Sequence, residues 1–124
     1  MIGIKKDLNQ KYIVAFLLPV FNAESSIEKT INCLLKQNYP HFKIYILSNG
    51  CTDRTNEIIA KYSNRDKRIE IHFLKEANLS KALCYGLQVI KEEFVMRIDS
   101  GDITDINRVS KTLAFMKKNK DCDI

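Results

Sequence analysis

A chain of 124 residues accommodates one ordinary domain around a single core and leaves no room for a second lobe. With 45% hydrophobic and 28% charged residues, only four glycines and two prolines, it has a globular make-up that excludes the disordered, collagenous and mucin-like classes. The formal net charge of +5 is compatible with nucleic acid, an anionic membrane face or phosphorylated ligands and does not choose among them.

The longest apolar run, Tyr12 to Phe21, contains Pro19 and is about half as long as a membrane-spanning helix requires. Met1-Ile-Gly-Ile-Lys-Lys-Asp7 has neither the apolar core nor the small-residue cleavage site of an export signal, so a cytoplasmic protein is expected. Cys33, Cys51, Cys84 and Cys122 are widely spaced and form no C-x-x-C pair, a pattern that fits reduced thiols.

Tyr12-Ile-Val-Ala-Phe-Leu-Leu18 is an unbroken run rich in strand formers, as in a strand buried on both faces of a parallel sheet, and it is expected to end at Pro19. Ser25 and Glu28 have capping-box spacing, and Ile27, Ile31, Leu34 and Leu35 recur at helical intervals until Asn38-Tyr-Pro40. Lys43–Leu47 reads as a second strand. Asp53 can cap the next helix, whose inner face carries Ile58, Ile59 and Tyr62.

Arg68–Leu74 alternates like a strand near an edge. A third helix is expected from Asn78 to Lys91, burying Leu79, Leu83, Leu87 and Ile90, and Phe94–Ile98 reads as the fourth strand. Thr104 then opens a last helix with Ile106, Val109, Leu113 and Met116 facing inward. Its end carries Lys117-Lys118-Asn119-Lys120, where cations suit the helix dipole. Cys122-Asp-Ile124 has the character of one more strand beginning.

This βαβαβαβα order predicts an α/β protein: a Rossmann-like three-layer α/β/α sandwich with a mainly parallel sheet. Open sheets of this kind bind ligands beyond the carboxyl ends of their strands. Three polar segments fall there: Pro19-Val-Phe-Asn22, Ser48-Asn-Gly-Cys-Thr-Asp53 and Asp99-Ser-Gly-Asp102.

At these residues the chain resembles the family 2 glycosyltransferases of the GT-A fold, whose nucleotide-binding half reads approximately P-V-Y-N-A-E, D-D-G-S-T-D and R-x-D-A-D-D. The counterparts are Pro19-Val-Phe-Asn-Ala-Glu24, Ser48-Asn-Gly-Cys-Thr-Asp53 and Arg97-Ile-Asp-Ser-Gly-Asp102. Asn78-Leu-Ser-Lys-Ala82 is similar to the family's N-x-G-x-x-x-A segment, and Asn107-Arg108 to its N-R pair.

The resemblance implies that residues 1–124 are a single nucleotide-sugar-binding domain, a truncated GT-A unit without the C-terminal acceptor-binding half. It implies donor contacts from Pro19, Val20, Phe21, Asn22, Glu24, Asn49 and Asp99. A strand followed by proline and an Asn cap also needs no ligand, and Asp53 reads first as a helix cap.

Asn49 takes the place of an acidic residue that in the family reads the base's N–H. An amide can do so with its oxygen while its NH₂ meets a carbonyl, with consequences for which base is preferred. Gly101 replaces the second aspartate of the family's D-x-D. Asp99 and Asp102, three residues apart across a glycine turn, are the candidate ligands for Mg²⁺ or Mn²⁺. The alternative for Asp102 is a cap on the helix near Thr104.

The implied function is transfer of a sugar from a nucleotide-diphosphate sugar to a glycan or lipid-linked acceptor. The alternative is a truncated, catalytically inactive nucleotide-binding or assembly module. The general base is expected beyond Ile124, with His41 and His72 in surface or packing roles. Nucleic acid is not an expected partner. Contact with acidic phospholipid at the inner membrane face stands as a hypothesis on charge, and homodimerisation as one on exposed sheet edges. Without G-x-G-x-x-G after the first strand and without a Walker loop, a dehydrogenase and an ATPase are disfavoured.

Overall fold

A computed structural model describes Ile2–Gly3 and residues 13–119. Its elements in chain order are β1 (Ile2–Gly3), β2 (Val14–Val20), α1 (Ile27–Leu35), β3 (Phe42–Asn49), α2 (Thr55–Arg65), β4 (Ile69–Leu74), α3 (Leu79–Val89), β5 (Phe94–Arg97) and α4 (Arg108–Lys118). The expected strand–helix alternation is present, with a two-residue strand added ahead of it. The strand expected at Cys122–Ile124 lies outside the described residues.

The sheet runs in the order β1-β5-β2-β3-β4. β5, β2, β3 and β4 are parallel, while β1 pairs antiparallel with β5 through Ile2↔Val95 and Gly3↔Phe94. From β2 the chain steps outward to β3 and β4, then returns to the other side of β2 as β5. Right-handed crossovers then require the returning helix, α3, to cross the opposite face from α1 and α2.

Side-chain alternation along β2 divides the core accordingly. Val14, Phe16, Leu18 and Val20 join Ile27, Ile31 and Leu34 of α1, Ile59 of α2 and Val109 of α4 in one cluster. Ala15 and Leu17 face Tyr45, Leu47, Ala82 and Val95 in the other. The three-layer α/β/α arrangement follows, with α3 packed on the second face.

α3 reaches that face through its small residues. Ala82 and Gly86 are buried, Ile90 is buried as expected and half-buried Leu83 packs beside them, whereas Leu79 and Leu87 are 47% and 44% exposed, so only part of the expected stripe faces the sheet. A Cβ on Gly86 would stand 2.5 Å from Leu17 Cδ1 and 2.8 Å from Leu47 Cδ1. The bulky sheet residues admit the helix only where it presents no side chain.

Two helix starts differ from expectation. α1 begins at Ile27 without a side-chain cap; Ser26 and Ile27 donate their N–H groups to the Ala23 carbonyl at 3.0 and 2.9 Å, so the turn itself starts the helix. α4 begins at Arg108, not near Thr104. Asp105 accepts the Asn107 N–H at 2.7 Å in a local turn that competes with helix, and Ile106 is 52% exposed.

Pro19 does not end its strand. It pairs with Leu47 of β3, and β2 continues to Val20. Leu17 accepts the Ile98 N–H at 3.0 Å, so the alternation of backbone groups points Pro19 to the same side, beyond the last paired residue of β5, Arg97. The missing N–H falls where no ladder partner exists.

Candidate functional site

The strand order reverses at β2, and a cleft opens beyond the carboxyl ends of the strands beside it. It encloses about 480 Å³. Pro19, Val20 and Phe21 line it from the end of β2, Asn49 from β3, Ala77 and Leu79 from the β4–α3 connection, and Arg97, Asp99 and Ser100 from the end of β5. Five of the seven residues singled out for donor contacts thus share one cleft. Asn22, Glu24 and Asp102 stand beside it.

Asn22 holds the rim together. Its φ of 44° is left-handed, a conformation that asparagine tolerates better than most residues. Asn22 Oδ1 accepts the Thr52 N–H at 2.8 Å and the Asp53 N–H at 3.3 Å, and Nδ2 donates to Thr52 Oγ1 at 3.2 Å. Ala23 N–H donates to the buried Thr55 hydroxyl at 2.8 Å. Together these bonds fasten the β2–α1 loop to the β3–α2 loop.

Asp53 belongs to the same seam. One carboxylate oxygen accepts the Thr55 N–H at 2.9 Å, capping the first turn of α2, and the other accepts the Glu24 N–H at 3.2 Å. Desolvation opposes its ionisation, but the bonds donated by Thr55 and Glu24 prevail and hold the carboxyl below its ordinary range.

Asn49 is 5% exposed at the end of β3. Its Oδ1 accepts the Asn78 N–H at 2.8 Å, and Asn78 in turn caps α3 by accepting the Lys81 N–H at 3.1 Å. This close approach depends on Gly50, whose φ is +70° and where a Cβ would lie 2.8 Å from Ala77 N. Neighbouring Ser48 is buried and bonds Asn56.

Beyond β5 the chain makes a tight turn in which Asp102 N–H donates to the Asp99 carbonyl at 3.1 Å, with Gly101 at φ +93°. Positive φ at that position is the requirement of a type II turn. The buried Thr30 of α1 anchors it: its hydroxyl accepts the Gly101 N–H at 2.8 Å and lies 3.3 Å from the Asp102 carbonyl. Asp102 Oδ2 accepts the Asp99 N–H at 3.1 Å, and Arg97 Nε donates to Asp99 Oδ1 at 3.2 Å.

One oxygen of each aspartate is engaged in this way and the other is free of these bonds. A hard divalent cation that also takes phosphate oxygens is commonly held by one or two protein carboxylates, which is the donor type both side chains supply. Among the described residues, no group of three or more His, Cys, Asp or Glu side chains is placed to bind a metal.

Thr30, Arg97, Ala77 and Leu79 were not assigned to the site from sequence. For Arg97 the signal was its place at the head of Arg97-Ile-Asp-Ser-Gly-Asp102, and for Leu79 its place in Asn78-Leu-Ser-Lys-Ala82. His41 lies before β3, at the opposite end of the strands, and packs on Tyr39. His72 lies in β4, its ring nitrogens bonded to Tyr85 at 2.9 Å and Glu70 at 2.6 Å. A larger cavity, about 660 Å³, opens between β2, β5 and α4 around Ile13, Phe94, Leu113 and Met116; it is apolar and remote from the rim.

Residues 15–124 match the sequence profile of glycosyl transferase family 2. The chain belongs to this family. Among family relatives it is 31% identical over 109 residues to TuaG of Bacillus subtilis, a glycosyltransferase named for teichuronic acid biosynthesis, covering 87% of this chain and 43% of TuaG. It is 26% identical over 113 residues to the glycosyltransferase GlyG of Streptococcus pneumoniae, covering 90% of this chain and 37% of GlyG. The chain thus spans less than half the length of these relatives.

Among solved structures, S. aureus TarS 1-349 in complex with UDP-GlcNAc superposes with a TM-score of 0.79 at 25% identity, covering 86% of this chain and 31% of TarS. The mannosyltransferase PcManGT from Pyrobaculum calidifontis, in complex with GDP-Man and Mn²⁺, gives 0.78 at 16% identity, covering 91% and 34%, which shows the shared fold. The family 2 chain therefore has the Rossmann-like sheet of the GT-A glycosyltransferases. No helix among the described residues is long and apolar enough to cross a membrane.

Proposed function

We propose that this family 2 chain is the donor-binding part of a glycosyltransferase that moves a sugar from a nucleoside diphosphate onto a glycan or lipid-linked acceptor. The observation that carries the reading is the convergence of Pro19–Phe21, Asn49, Arg97 and Asp99 on one cleft at the carboxyl ends of three adjacent parallel strands. The TarS complex, whose ligand is UDP-GlcNAc, supports it by likeness.

In this reading the wall formed by Pro19, Val20 and exposed Phe21 receives the flat base and ribose, and Arg97 supplies countercharge toward the phosphates. Asp99 and Asp102 hold a divalent cation, which when bound neutralises charge developing on the departing diphosphate. Thr30 keeps the turn carrying those two aspartates in place, and the Asn22 seam keeps the base side of the rim at a fixed distance from it.

Titration calorimetry with nucleoside diphosphates, with and without Mn²⁺, tests this. Micromolar to millimolar binding that Mn²⁺ strengthens and Asp99→Asn weakens is the expected result. Binding indifferent to Mn²⁺ would remove the metal role of Asp99 and Asp102, and absence of binding would remove the donor site. Gly101 in place of an acidic residue favours a second reading, a module that retains nucleotide without supporting transfer. Sugar transfer by the 124-residue chain would exclude it.

A further inference from the structure

On one side the sheet ends at β4, and the parity of the ladder fixes what that edge leaves open. The Arg68 carbonyl accepts the Ile44 N–H at 2.7 Å and the Leu74 carbonyl accepts the Gly50 N–H at 3.1 Å, so the even-numbered residues of β4 turn their backbone groups toward β3. The odd-numbered residues turn theirs outward. At Ile69 both outward groups are used within the chain: the N–H donates to the Asp66 carbonyl at 3.2 Å, and the carbonyl accepts the Ser63 hydroxyl at 3.3 Å. Ile71 and Phe73 have no such partners among the described residues, and each offers one N–H and one carbonyl at the edge.

Edges that must stay single are guarded by lysine, proline or a bulge. Here the open stretch is Ile71-His-Phe73, with Phe73 58% exposed, and the β3–β4 register runs without interruption. The stretch is also self-complementary. An antiparallel second copy centred on His72 sets Ile71 against Phe73 of that copy and Phe73 against its Ile71, and these are the residues whose N–H and carbonyl groups face out. Four ladder bonds then close, two donated by each copy.

The side chains agree with this register. Ile71 lies on the α1–α2 side of the sheet, as does Phe73 two residues on, so both apolar cross-strand pairs form on that face. On the other face Glu70 falls opposite Leu74 of the second copy, while His72, at the axis, is drawn onto Tyr85 and Glu70 of its own chain. Just past the strand ends the register sets Arg68 toward the exposed Glu76 of the second copy. No carboxylate is placed opposite a carboxylate.

We propose that β4 is the interface of a two-fold dimer, in which two copies of this chain join edge to edge, Ile71 to Phe73, into one continuous sheet. The contact uses the same patch on both copies and therefore closes at two. Because the strands meet antiparallel, the two clefts open at opposite ends of the joined sheet. This interface does not depend on what the cleft binds.

Sedimentation equilibrium and amide hydrogen exchange on the 124-residue chain, each from about 10 to 500 μM, test the proposal. The dimer fraction should rise across this range, and exchange at the Ile71 and Phe73 amides should slow by about tenfold or more as it does. Phe73→Lys removes both apolar pairs and adds the residue that guards natural edges; it should raise the dissociation constant by about tenfold or more. If that variant fails to fold, the exchange of the native chain decides alone. A chain that stays monomeric at 500 μM, on the order of the highest concentration tested, overturns the proposal. So does a dimer in which the Ile71 and Phe73 amides exchange as fast as in the monomer, growth beyond two copies, or a folded Phe73→Lys variant that associates like the native chain.

Discussion

Asn22 Oδ1 accepts the backbone N–H of Thr52 at 2.8 Å across a separation of thirty residues, joining the loops that follow two neighbouring strands. The bond acts on backbone held in the left-handed region, so two effects are stored at one residue. Asn22→Gly keeps the conformation and loses the bonds, for an expected loss of about 1–2 kcal/mol. Asn22→Ala also places a Cβ at φ 44° and should lose about 1 kcal/mol more. Urea denaturation with an unchanged m-value would measure both; equal losses would deny the backbone contribution.

Gly101→Asp restores the acidic residue of the family pattern yet should destabilise the chain by about 1–2 kcal/mol, because φ is +93° there. Space is not the obstacle, since the nearest atom to an added Cβ is Ser26 Cβ at 3.9 Å. Gly101→Ala should lose a similar amount by thermal denaturation. Retention of full stability by both would show that the turn relaxes.

Thr30→Val keeps the shape of a fully buried side chain but withdraws the acceptor of the Gly101 N–H. A stability loss of about 1–3 kcal/mol is expected. Loosening the Asp99–Asp102 turn should also weaken the Mn²⁺-dependent part of nucleotide binding more than the metal-free part. Equal effects on the two would place Thr30 in packing alone.

Gly86→Ala sets helix propensity, a gain of up to about 1 kcal/mol, against contact with the ends of Leu17 and Leu47 at 2.5 and 2.8 Å. These ends can shift, but both belong to a tightly packed layer, and a net loss of about 1 kcal/mol is expected. Pairing it with Leu47→Ala should recover part of that loss in a double-mutant cycle.

Acid should weaken the fold from about pH 4 downward. The Arg68 side chain that bonds Asp66 at 2.9 Å holds its carboxyl below the ordinary range. At Glu70 desolvation works the other way, but Lys43 and His72 prevail and lower it. Each group in the folded chain binds fewer protons than in the unfolded chain over this window. Its contribution is therefore complete above the unfolded pKa and lost as pH falls through the folded one. Asp66→Asn should flatten the stability profile between pH 4 and pH 2 and leave its shape above pH 5 unchanged.

Three of the four parallel strands were legible because Val14–Leu18, Ile44–Leu47 and Val95–Met96 are apolar on both faces, a pattern that only a covered sheet satisfies, and β4 was legible from its alternation. The rim was legible because polar segments interrupt those runs at their carboxyl ends. Periodicity misled in part at α3, where Leu79 and Leu87 have the spacing of a buried face yet are exposed, while Ala82 and Gly86 make the close contact. Burial there was decided by the size of Leu17 and Leu47 on another element. The roles of Thr30 and Asn78 rest on contacts across 71 and 29 residues, which no local pattern records. β1, at two residues, carries no periodicity at all.

Pro19 acts as a stop on hybridisation between β2 and whatever follows β5. Because its nitrogen has no hydrogen to give, a lengthened β5 could not zip further along that side of β2 than Ile98 without wasting a carbonyl. The chain is obliged to peel away from the sheet at Asp99. Insertions after Arg97 would therefore enlarge a loop and leave the ladder its present length, so the mouth of the cleft stays open by covalent necessity while its contents are free to vary.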